Sequence, residues 1–446
     1  MSLTEGPIVR SLLRVALPAA AFQLLVFANN LVDYFWIQML GEEAASGQTA
    51  GWTVFWMLAS LGQIFSTGTT AIVARRVGSG DHDAARQATS HALRGAFLAA
   101  LVVGVIGWLL VPLLVEINES TPRAAKYTVD YLLTLCAGAP IIFLFYAIEG
   151  AFKGRGDMRR PLMALATALV INIVLDPVLI HVLGLEVLGA ALATLAAFTI
   201  TGALLYWAAV RRRWVGWVAG LDLAIVRNVV RIGLPVSMHG IVFSSVYIFI
   251  VRETNLAGGD AATAALGLGL RVEGFAYMVS VGFATAAAAM VGQNLGAGRP
   301  DRTSQAVRTA SGFGLMLAAV IGSAFLLIPD ALLGLFGMED PVVRELSIEL
   351  LRYLAVSGLF ITVALAYTGG LQGTGDTKSP MYISFISQIF IPLGMCFLIQ
   401  TFSTLDPADI WMAIVIGHVT RAVLSVTVFR WERWRDIKVA VSSSEA

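Results

Sequence analysis

The stretch Leu165-Ala-Thr-Ala-Leu-Val-Ile-Asn172-Ile-Val-Leu-Asp176-Pro177-Val-Leu-Ile-His-Val-Leu183 is apolar over about the length of a bilayer core, which takes roughly 20 helical residues to cross. Asn172 and Asp176 interrupt it four residues apart, so they share one face of a helix. Pro177 removes a backbone donor and displaces the carbonyl of Ile173. An ionisable group at this depth costs roughly 2.5 kcal/mol or more and is by default a functional candidate. The alternative is a polar pair that packs helices around a kink.

The composition extends this reading to the whole chain of 446 residues, which is 57% hydrophobic and only 13% charged. Soluble proteins carry about 25% charged residues. Apolar blocks recur from end to end and are too continuous for membrane barrel strands, which alternate over about 10 residues. The sequence therefore predicts an all-α integral membrane protein with twelve transmembrane helices. The predicted spans are centred near residues 28, 62, 101, 138, 173, 198, 244, 277, 320, 359, 391 and 418.

Charged residues predict the topology. Arginine and lysine cluster after the even-numbered spans and at both ends, whereas the alternate loops are mostly acidic. The positive-inside rule then places both termini in the cytoplasm, in a multi-pass protein of the cell (inner) membrane. The net charge of +1 predicts no nucleic-acid partner, and the five scattered histidines show no metal-ligand spacing. We expect no cofactor.

The chain repeats itself at an offset of 217 to 219 residues. The repeated motifs are Arg14-Val-Ala-Leu-Pro18 with Arg231-Ile-Gly-Leu-Pro235, Val77-Gly-Ser-Gly80 with Leu295-Gly-Ala-Gly298, and Lys153-Gly-Arg-Gly-Asp157 with Gln372-Gly-Thr-Gly-Asp376. Each half has an even number of spans, so the two six-helix bundles should be related by a pseudo-two-fold axis along the membrane normal. The predicted domains are an N-terminal lobe (1–210), a cytoplasmic linker (211–230), a C-terminal lobe (231–435) and a tail (436–446).

The first half contains acids that the second half lacks. Span one carries Asn29 and Asp33, which repeat the spacing of Asn172 and Asp176. The duplicated positions of Asp33 and Asp176 are Ile250 and Met395. Acids on only one copy of a duplicated scaffold predict that one half binds an ion. Asp33 could alternatively be an acid at the lipid headgroups.

Other polar groups within spans have less certain roles. Span four carries Tyr146 and Glu149, and Glu149 could be either a functional acid or the i,i+4 partner of Lys153. In the second half, Arg252-Glu253 and Arg271 with Glu273 suggest structural bridges, with substrate contact as the alternative. His239 and His418 are expected to be packed and hydrogen-bonded, and Cys136 and Cys396 to be buried free thiols.

Gly-x-Gly-Asp occurs twice, which raises the alternative of an intramembrane aspartyl protease. Both copies lie in predicted cytoplasmic turns beside basic residues, and both are explained by the repeat. Glycine suits such tight turns because it adopts positive φ, and Pro161 and Pro380 fit the starts of the following helices. We therefore expect a protein that is not an enzyme.

At these residues the chain resembles the multidrug and toxic compound extrusion (MATE) family, on its DinF-like branch. The resemblance covers essentially the whole chain. It is carried by Leu31-Val-Asp33-Tyr34-Phe-Trp36, Asn172-Ile-Val-Leu-Asp176-Pro177, Gly189-Ala-Ala-Leu-Ala-Thr194 and Val291-Gly-Gln-Asn-Leu-Gly-Ala-Gly298.

The resemblance implies an antiporter that exports amphipathic, often cationic compounds against an inward H⁺ or Na⁺ gradient, with a V-shaped pair of lobes. It places the cation-coupling site in the N-terminal lobe, at Asp33, Asn172, Asp176 and Thr194. Asn29, Tyr34, Tyr146, Glu149 and Glu273 are further candidates for substrate binding or coupling. Where relatives on this branch tend to have a neutral amide in span four, this chain has Glu149, which leaves the charge of the site open.

The sequence favours H⁺ over Na⁺ because apolar residues surround both aspartates and a desolvated acid pair holds a proton readily. A Na⁺ ion at Asp33 and Asp176 remains the alternative, since nearby amide, hydroxyl and carbonyl oxygens could serve as ligands. We expect a monomer in the lipid bilayer. A lipid or lipid-linked oligosaccharide flippase is the other alternative, and it would need a strongly cationic cavity.

Overall fold

The computed structural model describes residues 3–117, 122–218, 220–334 and 340–437. At some helical positions only the backbone is described, among them those of Tyr34 and His239, so the predictions for these two side chains lie outside the described residues. Within the described ranges the chain forms helices joined by short turns. The prediction of an all-α membrane protein is confirmed.

The first half contains seven helices, two of which form one bent span. They are α1 (Ile8–Gln38), α2 (Glu42–Gly78), α3 (His82–Ile117), α4 (Pro122–Ala137), α5 (Ala139–Gly154), α6 (Arg159–Pro177) and α7 (Glu186–Arg211). The pair α4 and α5 bends by 54°. After Pro177 the α6 span continues as a π-helical turn, Val178–Val182.

The second half follows the same plan. It contains α8 (Leu223–Gly296), α9 (Pro300–Leu327), α10 (Pro329–Gly334), α11 (Pro341–Thr374), α12 (Lys378–Phe385), α13 (Ile391–Phe402) and α14 (Pro407–Arg430). A π-helical turn, Ile386–Phe390, joins α12 to α13 within one span. A short 3₁₀ helix, Arg433–Asp436, follows α14.

Helix α8 contains two spans. Its 74 residues would extend about 110 Å at 1.5 Å per residue, more than three times the hydrocarbon core. The backbone leaves helical geometry at Gly258 and Gly259, and Gly259 has a φ of 65°. Ten helical segments of the described chain are long and apolar enough to cross a membrane, and the bent α4–α5 pair makes an eleventh. With α8 divided at its glycines, the spans number twelve, as predicted.

Equivalent helices cross at equivalent residues in the two lobes. A Cβ on Gly150 of α5 would lie 2.4 Å from the carbonyl oxygen of Ser66 on α2. A Cβ on Gly369 of α11 would lie 2.3 Å from the carbonyl oxygen of Ala284 on α8. The positions in these two pairs differ by 219 and 218 residues, so the sequence repeat is also a repeat of helix packing.

The two lobes meet across the pseudo-two-fold axis, through α2 and the second part of α8. A Cβ on Gly78 would lie 1.9 Å from the carbonyl oxygen of Gln293, and a Cβ on Gly296 would lie 1.9 Å from that of Arg75. Gly78 and Gly296 are 218 residues apart, and so are Arg75 and Gln293. Each contact is therefore the mate of the other, as in an isologous dimer interface.

These contacts lie at the end of the molecule that carries the α2–α3 turn, the lobe linker and both ends of the described chain, which we call the basic face. Here Arg75 donates to the carbonyl oxygens of Thr374 (3.2 Å) and Ile437 (3.0 Å). Gln293 donates to the carbonyl oxygen of Gly154 at 2.9 Å. Hydrogen bonds from each lobe to the other thus tie the lobes together at this face.

The first described residues fill the space between the lobes at the basic face. Leu3 is buried, and its backbone N–H donates to Gln293 Oε1 at 3.1 Å. Arg299 and Arg302 donate to the carbonyl oxygens of Thr4 (2.6 Å) and Gly6 (3.0 Å). The chain start is therefore part of the seal between the lobes.

The duplicated Gly-x-Gly-Asp segments form helix ends and turns, as predicted. Gly156 follows α5 with a φ of 70°, and Gly375 caps α11 with a φ of 93°. Pro161 and Pro380 lie in the first turns of α6 and α12. The domain boundaries at 210, 230 and 435 stay predictions.

Candidate ion-coupling site

Four side chains predicted to form a site do come together inside the N-terminal lobe. Asp33 on α1, Asn172 and Asp176 on α6, and Thr194 on α7 are 3%, 1%, 0% and 6% exposed. Thr194 Oγ1 donates to Asp33 Oδ2 at 3.3 Å. The carboxyl groups of Asp33 and Asp176 lie within hydrogen-bonding reach of each other. We call these four residues the acid cluster.

Two amides connect the acids. Asn29 Nδ2 lies 3.3 Å from Asp33 Oδ2, one helical turn away on α1. In the orientation that satisfies both ends of its amide, the Asn172 nitrogen donates to Asp33 Oδ1 and Asp176 Oδ2, each at 3.1 Å, and to Asn29 Oδ1 at 3.3 Å. Asn172 therefore bridges α6 to α1, and the predicted i,i+4 faces of both helices meet.

The backbone at the acid cluster is irregular. Asp176 is the residue before Pro177, where α6 gives way to the π-helical turn Val178–Val182. Proline cannot continue the i→i−4 hydrogen-bond ladder, and single π turns are frequent at functional sites. The acid cluster is thus placed where a helix has weakened internal bonding.

Tyr131 on α4 is a member of this neighbourhood that the sequence analysis did not single out. It is buried, and it lies close enough to both Asp33 and Asp176 to feel their charge. Its hydroxyl is the polar group of α4 nearest the acid cluster. Its position in a predicted span was the only available signal, and aromatic residues in spans are common.

Glu149 lies elsewhere. Its carboxylate accepts from Lys153 Nζ at 2.7 Å and from Ser66 Oγ at 2.9 Å, between α5 and α2. Tyr146, one turn earlier, packs against Phe145 and Phe198. The structure therefore favours the ion-pair interpretation of Glu149 and brings neither residue into the acid cluster.

Glu273 occupies the C-terminal lobe. It is 8% exposed and lines a small cavity with Tyr277, Ser280, Phe325 and Thr362. Its Oε1 has no hydrogen-bond partner among the described residues.

The two expected bridges of the second half have different outcomes. The predicted bridge of Arg271 to Glu273 is wrong, because residues two apart on a helix point to different sides, and Arg271 is exposed. The expected Arg252–Glu253 pair is present at 3.1 Å, and Gln400 adds a hydrogen bond to Glu253 at 2.5 Å.

The remaining candidates are structural. His418 is hydrogen-bonded to Ser357, as expected for a packed histidine. Cys136 and Cys396 are buried free thiols, which confirms that prediction. In the part of the chain that the structure describes, no three His, Cys, Asp or Glu side chains are grouped as metal ligands.

Comparison with known proteins assigns the class. The MatE family model matches residues 18–178 and 235–398, once in each half of the chain. Among curated proteins, the chain is 25% identical to a probable multidrug resistance protein NorM of Thermotoga maritima, covering 96% of this chain and 94% of that one. It is 26% identical to a FAD transporter of Shewanella oneidensis, covering 89% of each chain.

Solved structures share the fold. A MOP superfamily transporter from Pyrococcus furiosus superposes with a TM-score of 0.91 at 24% identity, covering 96% of this chain and 97% of that one. A multidrug resistance MATE family transporter in an outward-facing conformation superposes with a TM-score of 0.90 at 25% identity, covering 97% of both chains.

The two-lobe arrangement of twelve helices therefore defines a polytopic membrane transporter, not an enzyme. The chain belongs to the MatE family, the multidrug and toxic compound extrusion transporters. The resemblance described from its sequence motifs is confirmed at the level of the family.

Proposed function

We propose that this transporter is a cation-coupled antiporter that exports amphipathic, often cationic compounds, and that H⁺ rather than Na⁺ drives it. The observation that carries the proposal is the buried pair of Asp33 and Asp176, whose carboxyl groups face each other. Two carboxylates at this distance in a desolvated site do not both remain ionised, so the pair holds a proton between them.

Loss of that proton supplies the force for a conformational change. Asp33 is on α1, whereas Asp176 is on α6 next to the π-helical turn. A proton shared by the pair holds α1 and α6 together, and its release leaves two negative charges that repel across the same gap. The change in charge thus biases an irregular span between two packings, which is what coupling to transport requires.

Alternating access would follow from rocking of the lobes about the α2–α8 contact. The hydrogen bonds at the basic face describe the state closed on that side. We further propose that the basic face is cytoplasmic, with both termini inside the cell (inner) membrane, and that the protein acts as a monomer.

A Na⁺ ion is the alternative driver. The oxygens of Asp33, Asp176 and Thr194, with the Asn29 amide oxygen, form a set of hard donors of the kind that Na⁺ prefers. The Asn172 amide nitrogen, however, donates to both carboxylates in the satisfied orientation, and so occupies the space between them that a metal ion would need.

The driving ion is tested in proteoliposomes containing the purified transporter. Efflux of a cationic dye is measured with a pH gradient in Na⁺-free buffer, and separately with a Na⁺ gradient at uniform pH. We expect efflux with the pH gradient alone. Efflux that follows only the Na⁺ gradient would overturn the proton assignment and leave the antiporter proposal standing.

The substrate class is tested in the same vesicles. One relative is a FAD transporter, so the dye panel should be run beside the anionic dinucleotide FAD. The acidic groups of the N-terminal lobe favour cations, so we expect the cationic dyes to be exported and FAD not. A flippase would need a cationic cavity, and the basic residues of the second lobe's spans, Arg252 and Arg271, are exposed or half-exposed.

A further inference from the structure

A cavity on the basic face lies between the start of α3 and the linker that joins the lobes. Arg86, Gln87, His91, Trp217 and Val218 line this open cavity of about 350 Å³. It is far from the acid cluster in sequence and shares no residue with it. We call it the linker cavity.

The linker is held on α3 by three hydrogen bonds. Ser90 Oγ accepts from the Gly216 N–H at 3.1 Å, and His91 Nδ1 accepts from the Asp222 N–H at 3.2 Å. Arg94 donates to the Gly220 carbonyl oxygen. The linker cavity is therefore a built feature of the fold, since two segments of different lobes are fastened together beside it.

The lining of the linker cavity consists mainly of hydrogen-bond donors. Because His91 Nδ1 accepts a hydrogen bond, the ring proton is on Nε2, which is left as a donor. Gln87 and Arg86 contribute amide and guanidinium N–H groups, and Asp83 holds Arg86 at 3.1 Å. Such a donor set suits an anion, and a guanidinium suits phosphate in particular.

An aromatic side chain marks the boundary of the membrane here. Trp217 is 92% exposed, with Arg94 lying 5.4 Å from its ring centroid. A tryptophan so exposed next to a transmembrane helix is typical of the headgroup layer.

The same face of α3 continues into the lipid. Gln87, His91 and Arg94 lie on one stripe of the helix, and the next positions of that stripe are apolar and exposed. These apolar positions are Leu98, Leu101 and Val105. A ligand that fits this stripe has an anionic head and apolar tails.

We propose that the linker cavity binds the phosphate headgroup of an anionic phospholipid, whose acyl chains lie along the apolar stripe of α3. Bound there, the lipid contacts α3 of the first lobe and the linker to the second lobe at once. Free phosphate would satisfy the donors but would leave the apolar stripe without a partner.

The test compares lipid retention by variants of the full-length transporter. The Arg86→Gln/Gln87→Ala double variant removes cavity donors that make none of the linker's hydrogen bonds, so it should fold normally. Arg227→Gln is the matched control, because Arg227 is an exposed arginine of the same face that does not line the cavity. Native mass spectrometry counts bound phosphatidylglycerol after purification from vesicles of phosphatidylcholine and phosphatidylglycerol.

We expect the wild type and Arg227→Gln to retain phosphatidylglycerol over phosphatidylcholine, and the double variant to lose about fivefold in affinity for each cationic contact removed. Equal retention by the double variant and the control would overturn the proposal.

A second measurement locates the lipid. Phosphatidylglycerol with brominated acyl chains should quench Trp217, seen as the difference between the wild type and Trp217→Phe. Displacement of phosphatidylglycerol by millimolar inorganic phosphate would also overturn the proposal, since it would show a site for the free anion.

Discussion

The two lobes share a helical scaffold, but only one of them concentrates acids. In the N-terminal lobe, Asp33 and Asp176 meet across α1 and α6 with amide and hydroxyl partners. The equivalent positions of the C-terminal lobe are Ile250 and Met395, and the carboxyl of that lobe, Glu273, lies on a different face. Duplication thus conserved the packing contacts, while the buried charges diverged.

The difference teaches that packing and charge were constrained separately. Glycine contacts such as Gly150 with Ser66 and Gly369 with Ala284 recur in both lobes because close helix crossing admits no side chain. A buried acid, in contrast, is costly and persists only where partners or function retain it. Four predictions break or sharpen this comparison, beginning with the largest effect.

Asp33→Asn and Asp176→Asn should each abolish proton-driven efflux, because asparagine keeps the shape but removes the titrating proton. Expression and thermal stability should stay close to the wild type. Efflux in proteoliposomes under a pH gradient measures this, and Asp130→Asn is the control, since Asp130 is a half-buried acid of the same lobe. Wild-type efflux by both variants would show that the acid cluster is not the coupling site.

Lys153→Met should destabilise the protein by roughly 3–5 kcal/mol, because it leaves the buried Glu149 without its partner. Thermal unfolding in detergent measures the loss. The Lys153→Met/Glu149→Gln double variant should recover most of the stability and retain coupled efflux. If the double variant is stable but uncoupled, Glu149 belongs to the coupling machinery after all.

Gly78→Ala and Gly296→Ala should each cost about 1–3 kcal/mol, because an added Cβ would meet a backbone carbonyl of the other lobe. The pseudo-two-fold axis predicts that the two losses are similar. Gly312→Ala is the control, because a Cβ at that position meets nothing within 4 Å. Strongly unequal effects on the melting temperature would argue against an isologous contact.

Glu273→Gln should have the smallest effect, lowering dye efflux a few-fold at most without changing which ion gradient drives it. The glutamine keeps the volume, and the unpaired Oε1 loses no hydrogen bond. Initial efflux rates at several dye concentrations measure the change. Complete loss of coupling would show that the C-terminal lobe also carries a coupling site.

Several features followed from the sequence alone. Apolar runs of span length, basic clusters after alternate spans and three motifs at one offset were enough to predict twelve helices in two related lobes. Asn29 with Asp33 and Asn172 with Asp176 were identified because i,i+4 spacing places both members on one helical face whatever the fold. These properties are local, or they repeat along the chain, so no contact between distant segments was needed to infer them.

Only the tertiary structure decided which polar groups meet. The sequence left Glu149 open between two roles and suggested a bridge from Arg271 to Glu273. The structure pairs Glu149 with Lys153, leaves one oxygen of Glu273 unpartnered, and adds Tyr131 to the neighbourhood of the acid cluster. The rotation of each helix about its axis sets these contacts, and that rotation depends on the packing of all its neighbours, which a pattern within one span does not contain.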